Sequence, residues 1–155
     1  MEEVVMMRTA ELAETELGPV RAAMTGDVLT VESRAKASVA TRQMEARRVS
    51  GVPVVEAGIL VGMLSMTDLG MKGSSQTTGP FLRQEQRFAD VEVGHLMSRN
   101  VVTADPDWPL AKAAKTMVKE RVNRLPVVDA LRRPVGIITR DDIVRRLAET
   151  EVPEE

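Results

Sequence analysis

Short apolar runs, each bounded by charge or by Gly and Pro, follow one another in an order that occurs twice along the chain. In the second half, Leu110, Ala113, Ala114, Met117 and Val118 recur at i, i+3, i+4, i+7 and i+8, which predicts an amphipathic helix with one apolar stripe. Asp107 and Pro109 read as its start signals. Two runs rich in Val and Ile follow, 125–128 and 135–139, and predict a pair of strands. The first half predicts the same pair at 52–55 and 59–65. Its preceding helix has a weaker stripe: Ala37, Ala40 and Met44 keep the period, but Thr41 and Glu45 stand where the second half has Ala114 and Val118. An extended lead, 28–31 or 101–104, precedes each of these helices, and a further helix closes each half.

The two halves are copies of one unit. Met24 and Met97 stand 73 positions apart, and the same spacing pairs Val20 with Val93, Thr30 with Thr103, Met44 with Met117 and Val49 with Val122. It also carries Pro53-Val54-Val55 onto Pro126-Val127-Val128. One extra residue in the second copy then brings Val61-Gly62 onto Val135-Gly136 and Asp68 onto Asp142, and a turn between the strands is expected to absorb it. The expected organisation is an N-terminal segment, 1–19, with a short amphipathic helix; a first repeat, 20–70; a linker, 71–92; a second repeat, 93–148; and an acidic tail, 149–155. The linker opens on Lys72-Gly73-Ser74-Ser75-Gln76-Thr77-Thr78-Gly79-Pro80. One copy alone is too small to be comfortably stable, so the two are expected to pack face to face and share a core.

Composition then removes most catalytic chemistry. The 155 residues include no Cys and one His, His95, so neither a thiolate nucleophile nor a His-pair metal site can be assembled. His95 reads as a surface or structurally satisfied histidine. The aromatic set is Phe81, Phe88 and Trp108, too sparse for base-stacking platforms. With 21 basic against 23 acidic residues, no global positive field draws nucleic acid or anionic lipid. No apolar run approaches the roughly 20 residues that span a bilayer, and Met1-Glu2-Glu3 is acidic where a secretory signal is basic. A cytoplasmic setting, with no membrane or nucleic-acid partner, is the expectation.

The ordered set of motifs resembles the paired cystathionine-β-synthase-type (CBS) family, or Bateman module. It comprises Met24-Thr25 and Met97-Ser98; Thr30 and Thr103; and Val49-Ser50-Gly51-Val52-Pro53-Val54-Val55 with Val122-Asn123-Arg124-Leu125-Pro126-Val127-Val128. The closing motifs are Val61-Gly62-Met63-Leu64-Ser65-Met66-Thr67-Asp68 and Val135-Gly136-Ile137-Ile138-Thr139-Arg140-Asp141-Asp142. The resemblance covers about residues 20–148. It implies an α/β (α+β) fold of two β-α-β-β-α repeats with pseudo-two-fold symmetry, commonly assembled as a homodimer. It further implies a non-catalytic regulatory module that binds AMP, ADP, ATP or S-adenosylmethionine in clefts between the repeats and signals to a client protein, with no obligatory cofactor and no metal.

By the same resemblance, Asp68 and Asp142 would hold a ribose diol, since a carboxylate accepts from two vicinal hydroxyls, with Ser65 and Thr139 beside ribose or phosphate at a helix start. Asp142 and Thr139 would be joined by Thr30, Val49 and Ser50, and Asp68 and Ser65 by Thr103, Val122 and Arg124. Arg124 can grip a phosphate through two hydrogen bonds where the first copy has Gly51, which favours the Asp68 site for a phosphorylated ligand. The residues alone also allow plainer roles. Ser/Thr-x-x-Asp is a capping box in its own right, the threonines suit strands, and Arg124, Arg132-Arg133 and Arg145-Arg146 suit solvated surface. Trp108 is expected to pack against the neighbouring copy or another subunit. A structural or interaction dimerisation module with empty clefts is therefore the alternative.

Overall fold

The computed structural model describes residues 4, 6, 7, 17–73 and 90–150. Their elements run α1 (Val20–Ala23), β1 (Val31–Glu32), α2 (Ala37–Arg47), β2 (Gly51–Glu56), β3 (Ile59–Ser65), α3 (Met66–Gly73), a 3₁₀ turn (Val93–His95), α4 (Leu110–Glu120), β4 (Arg124–Val128), β5 (Pro134–Thr139) and α5 (Arg140–Thr150). The fold is mixed α/β, as the doubled pattern implies. Residues 4, 6 and 7 are helical, within the expected N-terminal helix. The rest of that helix, the middle of the linker and the tail beyond residue 150 lie outside the described residues.

The chain divides into two compact units. One is continuous, Leu29–Val101, and the other is split, Met1–Val28 with Val102–Glu155. In the continuous unit β1 lies parallel to β2, and β2 pairs antiparallel with β3. Along β3 the even-numbered Leu60, Gly62 and Leu64 are buried and their neighbours half-exposed, the period of a strand with one covered face. In the split unit β4 and β5 form the equivalent hairpin. The third strand expected there shrinks to one bridge: Ala104 pairs in parallel with Val127, and Asp105-Pro106 follow at once and turn the chain away.

Helix stripes and turns obey the local chemistry. α4 buries Leu110, Ala111, Ala113, Ala114 and Met117, and α2 buries Ala37, Ala40 and Met44. In α2 the half-buried Thr41 donates its hydroxyl to the Ala37 carbonyl, 2.8 Å away, and so stays on the stripe without an unmet polar group. Both helices end on a left-handed arginine, Arg48 or Arg121, after which Val49 N–H donates to Met44 O and Val122 N–H to Met117 O. Asp107 does not start α4 as its position suggested. Pro109 occupies the cap, while the Asp107 carboxylate pairs with Arg21. Ala57 and Gly58, at φ 52° and 82°, make the two-residue turn of the first hairpin. The second hairpin takes up the extra residue in a longer loop held by Asp129, whose Oδ1 accepts from Leu131 N–H and Arg133 N–H and whose Oδ2 accepts from Arg133 Nε.

The buried apolar residues form two clusters, one in each unit. Each cluster is completed by chain that belongs, by sequence, to the other repeat. In the split unit Val20, Ala23 and Met24 pack with residues of α4, β4, β5 and α5, and Thr25 exchanges two 3.0 Å backbone hydrogen bonds with Ile137. In the continuous unit Val93, Leu96 and Met97 pack with residues of α2, β2 and β3, and Ser98 exchanges two 2.9 Å bonds with Met63. Trp108 joins the split unit's cluster, with Lys112 Nζ 4.3 Å above its ring. His95 is exposed on its 3₁₀ turn.

Candidate functional site

In each unit the chain reverses so that the end of one strand, the start of another and the start of the closing helix come together. Gly51 and Ser65 are opposite one another where β2 begins and β3 ends, and Arg124 and Thr139 are opposite one another in the equivalent place. Backbone bonds fix both junctions alike: Met66 N–H donates to Ser50 O and Arg140 N–H to Asn123 O, each at 2.9 Å. Thr30 immediately precedes β1 on that side of the continuous unit's sheet, and Thr103 immediately precedes the Ala104 bridge in the split unit. Val49 and Val122 lie between the helix cap and the strand. The geometry within a unit thus gathers Thr30, Val49, Ser50, Ser65 and Asp68 around one sheet end, and Thr103, Val122, Arg124, Thr139 and Asp142 around the other. The expected pairing of each acidic residue with the opposite copy joins residues of different units.

The Ser/Thr-x-x-Asp motif forms a reciprocal cap in both places. Asp68 N–H donates to Ser65 Oγ and Ser65 N–H to Asp68 Oδ2, both at 3.0 Å. Asp142 N–H donates to Thr139 Oγ1 at 3.1 Å and Thr139 N–H to Asp142 Oδ2 at 3.0 Å. Two helix-start donors are satisfied by each pair, and each carboxylate sits where the helix dipole favours negative charge. Each cap engages only Oδ2.

At Oδ1 the two copies differ. Asp142 Oδ1 accepts from Arg145 at 3.1 Å, and with Ser33 it is one of two buried polar residues among those described. Asp68 is half-exposed, and its Oδ1 accepts no hydrogen bond from the described residues. The spacing of Asp142 and Arg145, i and i+3 on a helix, was the available signal for their contact. Of the basic pairs read as solvated surface, Arg132, Arg133 and Arg145 are exposed as expected, although Arg133 bonds Asp129 and Arg145 bonds Asp142, while Arg146 is half-buried and donates to the Leu17 carbonyl. Arg124 is half-buried rather than fully solvated, and burial lowers its pKa from the ordinary arginine value. A guanidinium starts so far above neutrality that it keeps its charge.

Among the described residues, no group of three or more His, Cys, Asp or Glu is placed to hold a metal, and no helix is long and apolar enough to cross a membrane.

Two α/β units built from one repeat, each presenting a hydroxyl and a carboxylate locked at the start of its closing helix, define a paired-repeat module. Residues 20–69 and 93–149 each match the CBS domain, and the chain belongs to the CBS domain family. It is 30% identical over 127 residues to the CBS domain-containing protein YhcV of Bacillus subtilis, covering 82% of this chain and 84% of that one. The CBS domain pair of protein MJ0100, in complex with 5′-methylthioadenosine and S-adenosyl-L-methionine, superimposes with a TM-score of 0.70 at 26% identity, over 86% of this chain and 98% of that one. CBSX2 in complex with AMP does so with a TM-score of 0.69 at 25% identity, over 85% and 97%; the structure of CBSX2 is from Arabidopsis thaliana. The chain spans only 23% of a longer relative, a homoserine O-acetyltransferase of Methanohalobium evestigatum.

Proposed function

We propose that this protein is a non-catalytic regulatory module that binds an adenosine-containing ligand, such as AMP, ADP, ATP or S-adenosylmethionine, and relays its presence to a client protein as a cytoplasmic homodimer. The observation that carries the reading is the doubled cap, in which each acidic residue commits Oδ2 to the helix start and directs its remaining acceptor capacity elsewhere. A carboxylate so placed accepts from ribose hydroxyls. Hydroxyl-bearing Thr30, Ser50 and Ser65, or Thr103 and Thr139, belong to the segments gathered at the same sheet ends. Arg124 supplies a guanidinium for phosphate, and Val49 and Val122 supply apolar surface for a base. The complexes of CBSX2 with AMP and of the MJ0100 pair with S-adenosyl-L-methionine support the same class of ligand here.

A purely structural dimerisation module is the competing reading, favoured by the closure of both caps by protein groups alone. Calorimetric titration with AMP, ADP, ATP and S-adenosylmethionine separates the two. The regulatory reading expects saturable heat and a raised Tm with at least one of them, with Asp68→Ala and Asp142→Ala each removing one binding event. Absence of heat and of any thermal shift with all four leaves the structural module.

A further inference from the structure

The two acidic positions are matched in sequence register and in their caps, yet among the described residues only Asp142 has a hydrogen-bond partner at its outer oxygen. Asp142 Oδ1 is held by Arg145 at 3.1 Å, and the Asp142 side chain is only 7% exposed. The residue of the first repeat that corresponds to Arg145 is Met71, which has no side-chain donor. A vicinal diol approaching Asp142 must compete with a guanidinium for Oδ1, whereas at Asp68 it meets an acceptor free of hydrogen bonds from the described residues. Arg145 itself is 63% exposed, so it can leave the carboxylate for water without disturbing the core.

Resting on the adenosine reading above, we infer that Arg145 is a latch on Asp142 that sets the order in which the two positions fill, Asp68 first and Asp142 only after Arg145 has swung away. The latch is a charge-assisted hydrogen bond with one exposed partner. Displacing it weakens the second event by about tenfold, the scale of one such bond. One chain would then answer two ranges of ligand concentration with two nearly identical repeats. Arg145 is a positioning residue in this scheme: it acts on the ligand only through Asp142.

The test is calorimetric titration of AMP into the full chain as parent, Asp68→Ala, Asp68→Ala/Arg145→Met and Asp68→Ala/Arg145→Lys, with a thermal melt of each to confirm folding. The parent is expected to show a tight event and a weaker one, and Asp68→Ala to keep only the weaker. Arg145→Met in that background should tighten the remaining event about tenfold, and Arg145→Lys, which keeps the charge but not the planar fork, should tighten it less. If Arg145→Met leaves the remaining event unchanged or weakens it, or if Asp68→Ala removes the weaker event, the latch is overturned while AMP binding stands. If neither the parent nor any variant binds AMP, the adenosine reading and the latch fall together.

Discussion

Met24 fills the space left by the missing side chain of Gly136. A Cβ placed on that glycine would lie 2.6 Å from the Met24 sulfur and 2.8 Å from the Thr25 carbonyl oxygen. Gly62 stands in the same relation to Met97 and to the Ser98 carbonyl, the latter 2.9 Å from the same hypothetical atom. The glycine in each Val-Gly motif is therefore fixed by the Met-Thr or Met-Ser segment that crosses its strand, and not by a turn.

Gly136→Ala should accordingly force the backbone at Thr25 away from β5. Overpacking of this kind costs about 1–3 kcal/mol, which lowers Tm by roughly 3–10 °C for a chain of this size. Gly26→Ala is the control, because a Cβ there meets nothing within 4 Å. Matching melts for Gly136→Ala and Gly26→Ala would contradict the close approach.

Thr139→Ala removes the acceptor for Asp142 N–H and should destabilise by about 1 kcal/mol. Thr139→Ser keeps the oxygen and should recover most of that loss. Chemical denaturation of the three proteins reads both differences, and equal midpoints would mean that the cap contributes nothing to stability.

Asp129 governs acid sensitivity at the second hairpin. Hydrogen bonds from the Arg133 backbone lead the effects that hold its carboxyl below the ordinary aspartate range, joined by the Arg133 side chain and Leu131 N–H. A folded value below the unfolded one gives stability that is complete above the unfolded pKa, about 4, and that disappears as pH falls through the folded value. Asp129→Asn should thus be less stable than the parent at neutral pH, and the gap should narrow as pH is lowered below the unfolded pKa. A gap that stays constant as pH falls would assign the effect to something other than the charge.

Ala57 occupies the left-handed region at φ 52° in a turn whose next residue is Gly58. Asparagine tolerates that region better than alanine does, so Ala57→Asn should raise Tm by about 1–3 °C. A lowered Tm in differential scanning calorimetry would contradict the turn geometry.

The parts of this architecture that depend on local chemistry were legible in the sequence. The α4 stripe, both strand pairs, the turn that absorbs the extra residue and the capping pattern at Ser65-Asp68 and Thr139-Asp142 all follow from spacing along one segment. The exchange of leading segments was not legible. Met24 is equally suited to lie over Gly62 or over Gly136, since the two Val-Gly motifs are alike, and only tertiary packing chooses between them. Asp107 misled because an acid before an apolar run also suits a cap, and here Arg21 claims it instead. Arg145 was legible as a neighbour of Asp142 by its i, i+3 spacing, but its effect on the site depends on how deeply Asp142 is buried.

The crossing of Met24 onto β5 and of Met97 onto β3 gives the duplicated chain the topology of a domain swap whose two partners have been fused into one polypeptide. A single repeat expressed alone carries a leading segment and a strand groove of the same kind, and it can satisfy the groove by folding back on itself or by trading segments with a second molecule. Covalent linkage makes the trade intramolecular: in this chain each compact unit is completed by a leading segment of the other repeat, held at a high effective concentration by the polypeptide that joins them.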